Sequence, residues 1–225
     1  MSNNDTRLLA EIEHVARAAC AEHDHAHDAL HLTRVVANAH RLTAAERAAG
    51  AQVDGFVVEA AAWLHDLVQL PKGAGAPGEA ARRSADEASA RLIQLGLADA
   101  IIQQIAHAIE VHSFSGGRRP ESLEAAIVQD ADRLDALGAV GLARLWVVAA
   151  DMPAALYDER DPLALERPVD DRLYSLDHVA KKLMLLPALM NTDTGRQLAE
   201  ERLRFVELYR DEFVRELGGN GWKTE

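Results

Sequence analysis

Residues 60–70 read AAAWLHDLVQL, and the fold is read outward from them. Ala60, Ala61, Ala62, Trp63 and Leu64 precede one adjacent polar pair, His65 and Asp66; Leu67, Val68 and Leu70 follow it. So apolar a run reads as a buried helix. An ionised carboxylate inside it costs several kcal/mol unless it is paired or bound to a cation. The imidazole beside it offers a neutral nitrogen ligand to the same cation. One His-Asp pair is equally compatible with a helix whose polar edge meets water, so the weight falls on where the other His and Asp residues lie.

Toward the N-terminus, residues 22–31 (EHDHAHDALH) are dense in His and Asp. Taken alone they read as a solvated surface run. Beyond them Leu30, Val35, Val36, Ala39 and Leu42 resume a helical period, and His27, His31 and Arg34 fall on one helical face. An earlier helix is expected from Asp5 or Thr6 to about Glu22, with Leu8, Leu9, Ile12, Val15 and Ala19 inward. The helix carrying His31 fades near Gly50, and Asp54 is placed to cap the helix that carries the His-Asp pair as far as Pro71.

Toward the C-terminus, the Gly/Pro-rich loop over 71–78 sets Lys72 directly after the His-Asp helix. Helices are expected over 79–95, over 99–112 with His107 within it and His112 at its end, and over 121–137, where Asp130, Asp132 and Asp135 interrupt an apolar face. Gly138 and Gly141 then permit close helix packing ahead of a core helix. Residues 151–171, with three prolines, read as a long loop or lid. Two last helices, 175–186 and 194–217, precede a frayed tail over 218–225. No stretch shows sustained period-two alternation. The expectation is an all-α single domain over 1–225, its core at about 19–190.

Composition narrows the functions available. The 225 residues are 48% hydrophobic, with 24 Lys and Arg against 36 Asp and Glu, a net charge of −12. Such a field disfavours nucleic-acid polymers and anionic membranes. It leaves room for a small anionic substrate, because a local cation can invert the potential inside a pocket. The single cysteine, Cys20, cannot form an internal disulfide and reads as a small buried hydrophobe. With neither an apolar signal segment nor a membrane-length run, the expected location is cytoplasmic. The expected state is monomer or homodimer.

Taken in order, His31, then His65 with Asp66, then Asp132 each interrupt a helix that otherwise reads as core. Two imidazoles and two carboxylates on three helices make a site for a divalent cation. His27, Asp28 and Asp135 are neighbours able to orient them. HDALHLTRV (27–35), WLHDL (63–67) and DADRLDALG (130–138) together resemble the His…His-Asp…Asp pattern of the HD-domain metal-dependent phosphohydrolases. The helical resemblance extends over about 19–190. It is nearest to the small stand-alone bacterial HD hydrolases, some of them nucleotide pyrophosphohydrolases. In those a Pro-Lys loop follows the His-Asp helix and a His-Ser-aromatic-Ser stretch precedes the third element, here Pro71–Lys72 and residues 112–115.

The resemblance implies a helical HD-type bundle with His31, His65, Asp66 and Asp132 as ligands of Mn, Mg, Co, Ni, Fe or Zn. It also implies attack of metal-bound water on a phosphoester or phosphoanhydride of a nucleotide or similar small phosphometabolite. Asp66, Asp135, His107 and His112 are the candidates for catalytic groups. His27, Arg34, Lys72, Arg133 and Ser113 are the candidates for holding the phosphate. After the His-Asp pair, residues 67–70 carry no acidic pair of the kind found in stringent-response relatives, and no Gly-Tyr-Pro extension is present. Two other readings are a di-iron oxygenase, which would use His107 or His112 at a second iron, and a non-catalytic nucleotide sensor.

Overall fold

The computed structural model describes residues 3–20, 27–70 and 75–218. The first part of the His/Asp-rich run, the loop with Lys72 and the last seven residues lie outside the described residues. Among the described residues the regular structure is helical, with one isolated parallel bridge between Ala155 and Tyr174 and no strand. The all-α expectation holds. The helices are α1 (Asn3–Ala19), α2 (Ala29–Ala48), α3 (Gly55–Leu64), α4 (Glu79–Gln94), α5 (Asp99–Val111), α6 (Leu123–Asp135), α7 (Gly138–Ala150), α8 (Asp177–Lys181) and α9 (Asp193–Glu216). Two compact units divide the chain, residues 1–133 and 134–225.

In the first unit α3 is the hub, packed by α1, α2, α4 and α5. Its sequence is apolar nearly all round, the mark of a helix enclosed by others, and Val57, Val58, Ala60, Ala61, Ala62, Trp63 and Leu64 are all buried. Asp54 caps it as expected, its carboxylate accepting the N–H groups of Phe56 and Val57. The helix ends at Leu64, however, well before Pro71. His65 is the reason. Its Nδ1 donates to the Ala62 carbonyl at 2.9 Å, satisfying a terminal C=O that helix continuation would otherwise have bonded. Leu67, Val68 and Leu70 are consequently half-buried turn residues and not core. The helix α4 closes on a left-handed Gly96 (φ +77), with Leu97 N–H bonded to the Leu92 carbonyl and Gly96 N–H to that of Ile93. That turn leads α5 back along α4.

In the second unit α7 packs on α9, where Trp146 stacks on Phe213 with ring centroids 5.8 Å apart and planes 12° apart. Gly141 admits backbone: a Cβ there would stand 2.2 Å from the Ala136 carbonyl, so the missing side chain fits the preceding turn and not a neighbouring helix. The helix expected over 175–186 is broken into α8 and two 3-10 turns, Leu183–Leu185 and Pro187–Leu189. Pro187 lacks the N–H that would continue it. Thr192 caps α9 through its hydroxyl, 3.0 Å from Gly195 N.

The segment over 151–174 is irregular in path yet closely held. The Asp161 carboxylate accepts the N–H groups of Leu165, Glu166 and Arg167 at 2.8–3.0 Å. The Arg167 guanidinium bonds both oxygens of buried Asp177 at 2.6 and 2.7 Å and lies 4.3 Å over the Tyr174 ring. None of the helices, among the described residues, is long and apolar enough to cross a membrane.

Candidate metal centre

Five side chains of the first unit converge, and helix ends place three of them. Asp28 caps α2, its Oδ1 accepting the N–H groups of Leu30 (3.0 Å) and His31 (2.9 Å), so the cap fixes the residue that bears the first imidazole. His65 ends α3. His112 ends α5 in the same way, its Nδ1 donating to the Ile109 carbonyl at 2.6 Å. A carbonyl only accepts, so Nδ1 carries a proton in both rings, and in the neutral ring it is Nε2 that presents the lone pair to the cluster. Asp132 lies on α6, which is tied to its neighbours by two buried amides. Asn38 Nδ2 of α2 donates to the Ala131 carbonyl at 3.1 Å. Gln129 Nε2 donates to the carbonyls of Val111 (2.5 Å) and Arg118 (3.1 Å).

The Nε2 atoms of His31 and His65 are 3.2 Å apart. Asp66 Oδ2 is 3.6 Å from each of them, and Asp132 Oδ1 is 3.6 Å from His31 Nε2 and 3.8 Å from that of His65. The other oxygen of Asp66, Oδ1, faces His112 Nε2 at 3.7 Å. Two overlapping triads result, His31–His65–Asp132 and His65–Asp66–His112. Metal–ligand bonds of about 2.0–2.2 Å set neighbouring donor atoms about 3.0–3.6 Å apart, close to the separations here.

The electrostatics agree. Burial lowers the His65 pKa to about 4 against the pull of Asp66 and Asp132, so its ring is neutral near pH 7. Burial pushes Asp66 and Asp132 upward, but the surrounding imidazoles, His65 foremost, outweigh it and hold both below the ordinary carboxylate value, Asp66 well below. The unprotonated His65 Nε2 and the ionised oxygens of Asp66 and Asp132 therefore point at one another, and a divalent cation is the species that this donor set fits. The soft thiol of Cys20 takes no part: it is buried, and burial, then Asp66 and Asp28, raise its pKa to about 11.

The other candidates fall as follows. His27 sits edge-on to His31 with ring centroids 5.8 Å apart. Arg34 is half-buried one turn beyond His31, and Ser113 follows His112 with its hydroxyl 3.0 Å from that of Ser115. Arg133 is buried; burial lowers its pKa, and Asp130 and Asp132 oppose that. His107 is engaged elsewhere, its Nε2 accepting the Glu121 N–H at 3.1 Å. Asp135 belongs to the second unit and pairs there with Arg144 at 2.9 Å. Lys72 lies outside the described residues. The sequence reading passed over Asn38, Gln129, Ser84 and Gln69, whose amide donates to Asp66 Oδ2 at 3.3 Å. No spacing marks these neutral side chains; only the fold brings them to their partners.

Comparison with known proteins matches residues 28–137 to the HD domain. YpgQ of Bacillus subtilis is 37% identical over 198 residues, 85% of this chain and 82% of that protein. Its crystal structure in complex with ADP superposes with a TM-score of 0.72 at 31% identity, covering 97% of this chain and 98% of the other. An HD-superfamily hydrolase from Bacillus thuringiensis superposes with a TM-score of 0.71 at 28% identity, over 96% of this chain and 100% of its own. A predicted HD-superfamily hydrolase from an uncultured Thermotogales bacterium gives 0.61 at 28% identity, with 92% and 91% covered.

Proposed function

The chain belongs to the HD-domain family, and on that premise we propose that it is a metal-dependent phosphohydrolase acting on a nucleotide or a similar small phosphometabolite. The observation that carries the reading is the convergence of His31, His65, Asp66 and Asp132, with their facing nitrogen and oxygen atoms 3.2–3.8 Å apart. A divalent cation held there supplies charge to a phosphate oxygen and acidifies water. The nucleotide part is supported by the ADP bound to YpgQ, 37% identical to this chain.

Within that reading the residues divide the work. His31, His65, Asp66 and Asp132 hold the cation. His112 keeps Nε2 unprotonated through its Nδ1 bond to Ile109 and is the group placed to take the proton of an attacking water as the P–O bond breaks. Arg34, Ser113 and His27 border the cluster and serve the phosphate oxygens, and Lys72 joins them on its sequence position alone. The di-iron alternative is supported by the second triad, through Asp66 and His112, but His107 is occupied by Glu121 and does not complete it.

The test is release of phosphate or pyrophosphate from nucleoside mono-, di- and triphosphates with Mn²⁺, Mg²⁺ or chelator. Release that needs the cation and drops by more than about 100-fold in Asp66→Ala supports the proposal, since even outer partners of metal ligands cost 10–100-fold. No release from any of these substrates with any cation refutes the nucleotide reading, and about two irons per chain would favour the oxygenase.

A further inference from the structure

After the His65–Asp66 pair the backbone leaves the helix, and what fixes its path is a residue of α4. The Ser84 hydroxyl accepts the Val68 N–H at 3.0 Å and donates to the Val68 carbonyl at 3.3 Å, and Ser84 is fully buried. One hydroxyl bonded to both backbone groups of one residue fixes that residue in position and in rotation. Gln69 comes next, and from there its amide reaches Asp66 Oδ2 at 3.3 Å.

The two oxygens of Asp66 have different tasks. Oδ2 faces His31 and His65, and Oδ1 faces His112. The carboxylate torsion is soft, so nothing in the side chain itself holds the plane in which one oxygen faces His31 and His65 and the other faces His112. A donor on Oδ2 does. We propose that Ser84 and Gln69 are positioning residues of the metal centre: Ser84 clamps Val68, and Gln69 so placed holds the plane of the Asp66 carboxylate. A neutral amide suits the task. A carboxylate at position 69 would repel Asp66, and an ammonium there would compete with the cation for its charge. The proposal rests on the reading of the cluster as a cation site.

The test is calorimetric Mn²⁺ titration, with the visible spectrum of the Co²⁺-loaded protein, on wild type, Gln69→Ala, Ser84→Ala and Ser84→Thr. Gln69→Ala is expected to weaken Mn²⁺ binding about tenfold and to shift the Co²⁺ bands, while the cation-free protein melts as wild type does. Ser84→Ala weakens binding to a similar degree. Ser84→Thr keeps the hydroxyl and recovers the affinity even where its extra methyl lowers the melting temperature. Wild-type affinity and an unchanged Co²⁺ spectrum in folded Gln69→Ala and Ser84→Ala would overturn the assignment while leaving the cation site standing. A wild-type protein that binds no divalent cation would instead bring down the site and, with it, this inference.

Discussion

Two regions of this protein gather aspartates, and they are built in opposite ways. Around Arg167 in the second unit, acceptors meet donors: Asp161 receives three backbone N–H groups, and Asp177 receives both arms of the guanidinium and the Asp170 N–H. Around His65 in the first unit, acceptors meet acceptors: the bare Nε2 of His65 faces ionised Asp66 and Asp132 across 3.6 and 3.8 Å. The first arrangement is complete as folded and serves to hold a long irregular segment. The second leaves acceptors facing acceptors and is able to hold a cation. Burial of charge alone separates neither case; the count of protons between the atoms does.

The comparison breaks most visibly at Arg167. Arg167→Ala strands the carboxylate of Asp177, which is 3% exposed, and should cost about 3–5 kcal/mol in denaturant unfolding, the range for removing one partner of a buried pair. Arg167→Lys, which keeps the charge but not the two-pronged geometry, should fall between. Divalent-cation affinity should be unchanged in both, and an undiminished unfolding free energy in Arg167→Ala would refute the clasp.

The metal cluster is sharpened by acid. His65 has a folded pKa of about 4 against an ordinary 6.5. Between these pH values the unfolded chain binds a proton that the folded chain does not. Stability is therefore whole above pH 6.5 and falls as pH drops toward 4, by up to about 3 kcal/mol. Asp66 and Asp132, whose folded values are depressed, keep their contribution above the ordinary carboxylate value of 3.8 and lose it only as pH falls further. Unfolding of the chelated protein at pH 7, 5.5 and 4.5 should show the slope, and His65→Asn should flatten it. A parallel slope in the variant would assign the effect to other groups.

The smallest effect is expected at Asp28. Asp28→Ala removes the cap of α2 and should cost about 1 kcal/mol in melting experiments, with a few-fold loss of cation affinity through His31. Asp28→Asn, which keeps a capping oxygen, should restore most of both.

Much of this was legible along the chain. Helix interiors at α2, α4, α5 and α9 follow apolar periods of about 3.6 residues, and Asp54 is a cap in the structure as in the sequence. His31, His65, Asp66 and Asp132 stand out because each interrupts an apolar run, and they meet. What misled was local pattern without partners. The run through residue 70 is apolar enough to read as helix, yet His65 closes α3 because its ring finds the Ala62 carbonyl. The prolines over 151–171 mark a long loop or lid, and its path is irregular as expected, but nothing in its pattern shows that Arg167 and Asp161 fasten it. His107 and His112 are both candidates by residue type, one within the helix and one at its end, and the fold gives the first to Glu121 N–H and turns the second to Asp66.

The sequence by itself determined the helical class, the apolar hub and which four interior His and Asp side chains to watch, because periodicity and residue chemistry are local properties. Tertiary structure alone decided that Nδ1 carries the proton in His65 and His112, how the plane of the Asp66 carboxylate is turned, and that Ser84 and Gln69 stand behind it. Those depend on atoms brought together from distant positions, and a hydrogen bond of about 3 Å is not encoded in any spacing along the chain.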